Sequence, residues 1–225
     1  MRIGLLASGR GSNADAILSA IAEGRLDAQA AVLICDRAAE AVSVAQRHGV
    51  PARLMLRRDY PDRVAQQTAM RDALLAADVD LVALAGFAAI LEPVMVDAFE
   101  GRILNIHPSL LPSFAGSVAP GPQAAALRAG VKLAGCTVHV VTAEVDAGPI
   151  VGQAAVPVLL DDTVESLAAR ILAEEHRLYP QVLQWFVEGR VTISHGIARV
   201  RPRDEPANLR PERRPPGDRR WFPRS

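Results

Sequence analysis

The sequence predicts an α/β protein with a Rossmann-like, mostly parallel sheet flanked by helices and with antiparallel strands in its C-terminal half. Two observations predict this fold class. In the first half of the chain, short apolar runs alternate with stretches of helical periodicity, which is typical of βαβ units. Further on, two strand-like runs at residues 135–142 and 151–159 are separated by only about eight residues. That spacing favours an antiparallel pair, because a parallel crossover needs about a dozen residues or more.

The parallel strands are predicted from short apolar runs, each of which gives way to polar or turn-forming residues. These runs cover residues 2–7, 30–34, 52–56, 81–85 and 102–106. The helices between them are predicted from apolar residues at helical spacing, such as Ile17, Leu18 and Ile21 in the first helix. The predicted helices cover residues 13–22, 38–48, 63–77 and 94–99.

The C-terminal part of the fold is predicted to contain a long helix and a small hairpin. The helix begins near Thr163, and we expect it to bend at Pro180, because proline removes a backbone hydrogen bond in mid-helix. Residues 190–200 predict a hairpin that turns at His195. Because no internal repeat and no interdomain linker is evident, we expect one domain over residues 1–200.

The composition argues against several classes of function. Half of the 225 residues are apolar, which is typical of a globular protein and too high for a disordered one. The net charge of zero argues against a nucleic-acid-binding protein, which usually has a basic excess. No apolar run reaches the length of a membrane span, and the N-terminal apolar run at residues 3–7 is short for a signal peptide, so we expect neither. Cys35 and Cys136 are too few for a disulfide scaffold or a tetrahedral zinc site. We therefore expect a cytoplasmic protein that binds no metal and has no nucleic-acid or membrane partner.

The zero net charge conceals a basic C-terminal segment. Residues 201–225 contain eight arginines, four acidic residues and six of the 16 prolines. This segment therefore carries a charge of +4 and the rest of the chain −4. We expect a Pro/Arg-rich, flexible tail that lies outside the folded domain.

A glycine-rich segment at residues 9–14 follows the first predicted strand and opens a helix. Glycines allow a tight turn, and the free N–H groups of a helix N-terminus favour an anion. The segment also fits the dinucleotide-binding pattern, and Asp36 stands at the position of the acid that binds ribose, so an NAD enzyme is one hypothesis. A glycine turn that binds no ligand is a second hypothesis. Ser12 and Asn13 add side-chain donors that suit a terminal phosphate, and this favours a phosphate monoester.

A second group of polar residues lies at the end of a later predicted strand. Asn105 and His107 point to the same face because strand side chains alternate. They lie at the carboxyl end of a parallel strand, where open α/β sheets bind ligands. Downstream, Asp146 lies in a polar loop between two predicted strands. An amide, an imidazole and a carboxylate form a hydrolytic or acyl-transfer set that lacks an evident nucleophile.

The chain resembles the phosphoribosylglycinamide formyltransferase family, which belongs to the folate-dependent formyltransferases. The matching segments keep their order, and nearly their spacing, over residues 1–195. They are residues 8–13, 84–87, 90–91, 104–112, 135–139, 145–149, 175–176 and 179–180. The resemblance implies transfer of a formyl group from 10-formyltetrahydrofolate, a cosubstrate and not a tightly bound cofactor, to the amine of glycinamide ribonucleotide. It also implies a phosphate-binding half over residues 1–100 and a catalytic and folate half over residues 101–200.

The resemblance assigns expected roles to individual residues. The catalytic residues are Asn105, His107 and Asp146. The substrate phosphate is held by Gly11, Ser12 and Asn13. Glu175, which falls on the apolar stripe of the long helix and needs a partner there, contacts the ribonucleotide. Thr137 supports the site. The expected folate-binding residues are Arg63, Ala88, Ala89, Ile90, Leu91, Asn105 and Thr142.

Two departures from the family pattern concern the folate and active-site segments. Ala89 stands where the family usually has arginine, so a cationic contact to folate is missing or supplied elsewhere. Residues 113–122 replace a shorter, histidine-containing family segment and contain no histidine. His139 matches a family position on a strand, where a packed core histidine and a catalytic one both fit the pattern.

The remaining alternatives are distinguished by the same motifs. Sister formyltransferases that act on a sugar nucleotide or on methionyl-tRNA share the catalytic trio but lack the Gly-Ser-Asn phosphate loop. A formyltetrahydrofolate hydrolase usually carries an additional N-terminal domain. An NAD-dependent oxidoreductase leaves Asn105, His107 and Asp146 unexplained, as does a non-catalytic binding module.

Overall fold

The computed structural model describes residues 1–117 and 121–203, and its main feature is a seven-stranded sheet. The strands are β1 (Arg2–Ala7), β2 (Gln29–Cys35), β3 (Ala52–Leu54), β4 (Leu81–Leu84), β5 (Ile103–His107), β6 (Leu133–Val140) and β7 (Ile150–Pro157). Their order is β3-β2-β1-β4-β5-β6-β7. Neighbouring strands from β3 to β5 pair in parallel, whereas β6 pairs antiparallel with both β5 and β7. The predicted fold class is therefore confirmed.

Within the described ranges, six α-helices connect or cover these strands. They are α1 (Ser12–Ala22), α2 (Ala41–Arg47), α3 (Arg63–Ala76), α4 (Pro93–Ala98), α5 (Gly121–Ala129) and α6 (Val164–Val187). Five of them lie where the sequence predicts helices, whereas α5 has no counterpart among the predicted helices. The long helix continues through Pro180, so the bend expected there stays a prediction. A short 3-10 helix (Arg57–Asp59) precedes α3.

The two faces of the sheet carry separate apolar layers because strand side chains alternate. On β1, Leu5 packs into the layer that contains residues of α1, α2 and α6, whereas Leu6 packs into the layer of α3 and α4. Both leucines are fully buried. Because both faces are covered, the parallel strands consist of continuous apolar runs, which is why they can be recognised in the sequence.

The predicted C-terminal hairpin is also present, as β8 (Val191–Ser194) and β9 (Ile197–Val200). Residues 201–203 follow it, and the Arg201 N–H donates to the Arg190 carbonyl at 3.1 Å. The rest of the predicted basic tail lies outside the described residues. Across the described ranges, no helix is both long and apolar enough to cross a membrane.

Two features of the sheet position the candidate site. Strands β2 and β3 lie on one side of β1, and β4 and β5 lie on the other, so the strand order reverses between β1 and β4. In open α/β sheets, ligands bind outside the carboxyl ends of the strands at such a reversal. The β5–β6 register then places Asn105 opposite His139 and His107 opposite Thr137.

Candidate active site

The loops that follow β1 and β4 are joined directly at the reversal point. The Ser8 N–H donates to the Gly86 carbonyl at 3.0 Å, and the Ala88 N–H donates to Ser8 Oγ at 2.9 Å. These bonds fix the segment after β4, which contains predicted folate-binding residues, beside the predicted phosphate loop. The predicted phosphate loop and the predicted folate segment after β4 are therefore adjacent.

The phosphate loop requires glycine at Gly11 for two reasons. Gly11 is the N-cap of α1 with φ = 79°, a left-handed conformation that residues with a Cβ rarely adopt. A Cβ at this position would also lie 2.7 Å from Ala41 Cα. Among the described residues, no side chain caps this helix start. The first-turn N–H groups of α1 therefore have no side-chain partner at the N-cap, and a helix start of this kind favours an anion.

Asn13 and Glu175 are bonded to each other at the buried side of this helix start. The Asn13 Nδ2 group donates to Glu175 Oε2 at 2.7 Å, and both side chains are more than nine-tenths buried. Burial raises the pKa of Glu175, and the bond from Asn13 partly opposes that rise. Asn13 Oδ1 has no partner within the described chain. One of the two Nδ2 hydrogens of Asn13 is thus bound to Glu175, while the unpartnered Oδ1 is available to an N–H or O–H group of a ligand.

His107 and Asp146 form the centre of the second half of the site. His107 Nδ1 lies 3.3 Å from Asp146 Oδ2, and His107 Nε2 lies 3.3 Å from the Phe114 carbonyl oxygen. A carboxylate and a carbonyl can only accept hydrogen bonds. Both contacts can be hydrogen bonds only when each ring nitrogen of His107 carries a proton.

Asn105 is oriented by His139 on the neighbouring strand. Burial lowers the pKa of His139, which keeps this imidazole neutral, and its Nδ1 lies 3.2 Å from the Val140 carbonyl. Nδ1 therefore carries the single proton and Nε2 is an acceptor. Asn105 Nδ2 lies 3.1 Å from that Nε2 and donates one hydrogen to it. The second amide hydrogen of Asn105 is left for a ligand.

Thr137 holds the segment that follows β5 instead of facing a ligand. Its side chain is fully buried, its hydroxyl donates to the Ser109 carbonyl at 2.7 Å, and it accepts from the Leu111 N–H at 3.0 Å. Gln153 on β7 also donates to this hydroxyl at 3.0 Å and to the Leu111 carbonyl at 2.9 Å. Thr137 therefore holds the segment after β5 against β6 and β7.

The predicted folate segment is held in place from the side of α3. Gln67 Nε2 donates to the Ile90 carbonyl at 2.9 Å, and Gln67 Oε1 accepts from the Glu92 N–H at 2.7 Å. Gln67 is buried and is not among the predicted site residues, although a glutamine on an apolar helix face is a usable signal. The guanidinium of Arg63, at the start of α3, is paired with Glu92. Arg63 therefore borders the segment of predicted folate residues, which contains Ala88, Ala89, Ile90 and Leu91.

Two further predicted residues are placed by local contacts. Thr142 Oγ1 donates to the Glu144 carbonyl at 3.1 Å, within the loop that carries Asp146. Asp36, which an NAD enzyme would use to bind ribose, is 7 % exposed and receives two hydrogen bonds from Arg37, at 2.9 and 3.1 Å. The acceptor atoms of Asp36 are thus already engaged by a neighbouring cation.

Comparison with known proteins gives the class of this site. A model of the formyl transferase family matches residues 1–183. The phosphoribosylglycinamide formyltransferase of Haemophilus influenzae is 38 % identical over 198 residues, which cover 88 % of this chain and 92 % of that protein. The chain therefore belongs to the formyl transferase family, and the resemblance inferred from its motifs is confirmed.

Other relatives and solved structures are also similar to this chain over most of its length. Glycinamide ribonucleotide transformylase 1 from Symbiobacterium toebii is 52 % identical with a TM-score of 0.86, over 89 % of this chain and 93 % of that one. A formyltetrahydrofolate deformylase from Pseudomonas syringae is 29 % identical with a TM-score of 0.81, over 88 % of this chain and 65 % of that one. The human trifunctional purine biosynthetic protein adenosine-3 is 42 % identical over 85 % of this chain. This chain spans about a fifth of the length of that protein, because the match covers 19 % of it.

Proposed function

We propose that this protein transfers a formyl group from 10-formyltetrahydrofolate to the amine of glycinamide ribonucleotide, a step of purine biosynthesis. The observation that carries the proposal is the grouping of Asn105, His107 and Asp146 at one edge of the sheet. Family membership and the names of the relatives support the same reaction. The substrate amine is itself the nucleophile, which accounts for a site built around an amide, an imidazole and a carboxylate.

Asn105 and His107 stabilise the negative charge that develops on the formyl oxygen when the amine attacks. Asn105 has one amide hydrogen left after its bond to His139. His107 supplies positive charge, and its 3.3 Å contact with the Phe114 carbonyl is long for a hydrogen bond. The formyl oxygen can therefore replace that carbonyl at modest cost. Preorganised donors and charges of this kind are usually the largest single contribution to catalysis.

Asp146 takes up the proton that the attacking amine must lose, either directly or through a water molecule. The proton then passes to N10 of the folate as the bond between N10 and the formyl carbon breaks, which releases tetrahydrofolate and the formylated amine. Its side chain is 11 % exposed and lies between His107 and His139, with Oδ1 3.5 Å from His139 Nε2. Because His139 is kept neutral by burial, its Nε2 does not donate to that oxygen. Asp146 therefore keeps lone pairs available for proton transfer.

The first half of the site binds the ribonucleotide. The N–H groups at the start of α1, in Ser12 and Asn13, hold the phosphate together with the turn at Gly11. The unpartnered Asn13 Oδ1 accepts from a hydroxyl or amine of the same substrate, and Glu175 binds the ribose side.

Folate binds along the two loops that border Asn105. The segment held by Gln67 provides the backbone groups of Ala88, Ala89, Ile90 and Leu91, and the opposite wall is formed by the loop with Thr142. Arg63 contacts the acidic tail of the folate by exchanging its surface partner Glu92. We propose that folate enters as a cosubstrate, that no cofactor is tightly bound, and that the enzyme acts on these small molecules in the cytoplasm.

The test is an optical assay of folate deformylation with purified protein. A 10-formyl folate analogue is mixed with glycinamide ribonucleotide, and parallel reactions contain a sugar-nucleotide amine, methionyl-tRNA, or no amine. Turnover that requires glycinamide ribonucleotide supports the proposal. Turnover only with another amine identifies a sister formyltransferase, and equal turnover without any amine identifies a hydrolase. Either of those two results overturns the proposed substrate.

A further inference from the structure

Residues 113–117, which we call the bracket loop, contact the catalytic pair through their backbone. The Gly116 N–H donates to Asp146 Oδ2 at 2.8 Å, on the same oxygen that lies 3.3 Å from His107 Nδ1. The Phe114 carbonyl lies 3.3 Å from the other ring nitrogen of His107. One short loop therefore contacts both members of the pair, from opposite ends.

We propose that the bracket loop is a positioning element for catalysis, in which the Gly116 amide fixes the carboxylate of Asp146 and the Phe114 side chain anchors the loop. This inference rests on the proposed function and extends it to residues outside the catalytic trio. The loop lies in the region where the chain departs from the family pattern, so it performs its task without the histidine of the family segment.

Asp146 needs such a support because of its own position. It lies on a loop, and its backbone is in the left-handed region with φ = 54°, which is uncommon for a residue other than glycine. Its neighbour His139 is a neutral acceptor on that side and gives the carboxylate no hydrogen bond. The Gly116 N–H makes a charge-assisted hydrogen bond that fixes the carboxylate, and a backbone amide does not itself accept the proton that Asp146 takes up.

The loop itself is held by a backbone turn and by an apolar anchor. Phe114 and Gly116 both have positive φ, 60° and 74°. A Cβ at Gly116 would meet nothing within 4 Å, so backbone conformation alone requires glycine there. The Phe114 ring is half-buried against the core and lines a cavity of about 60 Å³ together with Ala126 and Ile171. The Ser109 hydroxyl ties the loop to the end of β5 by donating to the Ser113 carbonyl at 2.6 Å.

The first test replaces Gly116 by alanine and compares it with Gly49→Ala. Gly49 has φ = 68° and equally open surroundings at the end of α2, so both variants introduce the same backbone strain. We expect Gly116→Ala to lower kcat about tenfold with both KM values within about twofold, because the strain of a Cβ at φ = 74° shifts the loop and moves the N–H of residue 116 away from Asp146. Gly49→Ala is expected to leave kcat unchanged. Equal effects of the two variants, or a loss confined to KM, would overturn the proposal.

The pH profile of kcat provides a readout that a merely structural role would not change. A hydrogen bond to a carboxylate favours its charged form. The other titratable groups that face Asp146 are His107 from β5 and His139 from β6, and both remain in the variant. We therefore expect the acidic limb of the Gly116→Ala profile to move to higher pH. If the acidic limb of the kcat profile does not move, the Gly116 amide does not stabilise the charged form of Asp146, and the proposal is contradicted.

The second test keeps the proposal falsifiable if Gly116→Ala does not fold. Phe114→Ala removes the anchor, whereas Phe114→Leu retains an apolar side chain against the same cavity. We expect a loss of kcat in Phe114→Ala and its recovery in Phe114→Leu, with little change in either KM. Loss of kcat to the same extent in both variants, or in neither, counts against the anchor.

An NMR measurement separates this inference from the proposed function. Asp146→Asn replaces the charged acceptor by a neutral one, so the Gly116 amide proton should move upfield if the bond exists in solution. An amide signal that does not respond overturns the inference even in an active enzyme. A responding amide in a protein without formyl transfer instead refutes the proposed function and leaves the loop contact intact.

Discussion

Glu175 and Asp146 are the carboxylates of the two halves of the site, and the molecule holds them by different means. Glu175 lies on the long helix α6 and accepts from the uncharged Asn13 amide, in surroundings whose low polarity raises its pKa. Asp146 lies on a loop, beside His107 and the Gly116 N–H. The first arrangement is a rigid element suited to binding. The second depends on a loop and on charge, which suits the proton exchange that we propose for Asp146.

The largest effect is expected from removing the charge of the loop carboxylate. Asp146→Asn keeps the shape of the side chain and removes its capacity to take up a proton, so kcat should fall by about 10²–10⁴-fold. Asp161→Asn makes the same charge change at an exposed turn and should leave kcat unchanged. Steady-state kinetics and thermal unfolding of both variants test this. Activity retained by a folded Asp146→Asn protein removes this carboxylate from the mechanism.

In the phosphate half, a smaller but still large effect is expected from Gly11→Ala. The new Cβ would lie 2.7 Å from Ala41 Cα at φ = 79°, so strain and overpacking together should lower the free energy of unfolding by about 2–4 kcal/mol. The KM for the ribonucleotide should also rise more than the KM for folate. Gly24 has a similar φ of 72°, and a Cβ there would meet nothing within 4 Å. Gly24→Ala therefore measures the backbone strain alone, which we expect to be about 1–2 kcal/mol. Denaturant unfolding measures the free energy of unfolding of both variants. Equal losses would show that the contact with Ala41 contributes nothing to the effect of Gly11→Ala.

Glu175→Gln should weaken substrate binding and at the same time stabilise the fold near neutral pH. Burial raises the pKa of Glu175 from its ordinary value of 4.5, so the folded state loses stability as pH rises from about 4.5 through the raised pKa. Glutamine still accepts from Asn13 and has no charge to bury. We expect a higher Tm than wild type at pH 7–8 that converges with wild type below about pH 4, together with a raised KM for the ribonucleotide. The neighbouring Glu174→Gln is the control, and a lower Tm for Glu175→Gln at neutral pH contradicts this account.

The same contrast between rigid elements and loops explains how much the sequence predicts. The parallel strands are buried on both faces, so their apolar runs and the polar residues at their ends are visible in the sequence. Asn105 and His107 can therefore be placed on one face of β5 from the sequence alone. Glu175 can be recognised for the same reason, because a carboxylate on an apolar helical stripe stands out against its neighbours.

Contacts made by backbone atoms across long sequence distances have no comparable signature. Gly116 and Asp146 are 30 residues apart in the sequence, and neither residue type indicates that the two are hydrogen-bonded. Helix α5 escapes prediction because its alanines show no contrast between polar and apolar positions, and because Pro122 resembles a loop residue although the first helical turn tolerates proline. His139 can be assigned only from the β5–β6 register, which places it opposite Asn105.

The smallest effect is expected at the rim of the folate segment, where Arg63 is half-exposed and paired with Glu92. Arg63→Gln removes one exposed cation, and a surface ion pair contributes at most about 1 kcal/mol, so stability should hardly change. The KM for the folate donor should rise by about fivefold at most, with kcat unchanged, and the difference should shrink at high salt because exposed charges are screened. Arg58→Gln, at a more exposed arginine outside this segment, is the matched control. A fall in kcat for Arg63→Gln would mean that this arginine contributes to the chemical step. That result would contradict the proposal that Arg63 only binds folate and that proton transfer depends on the loop that carries Asp146.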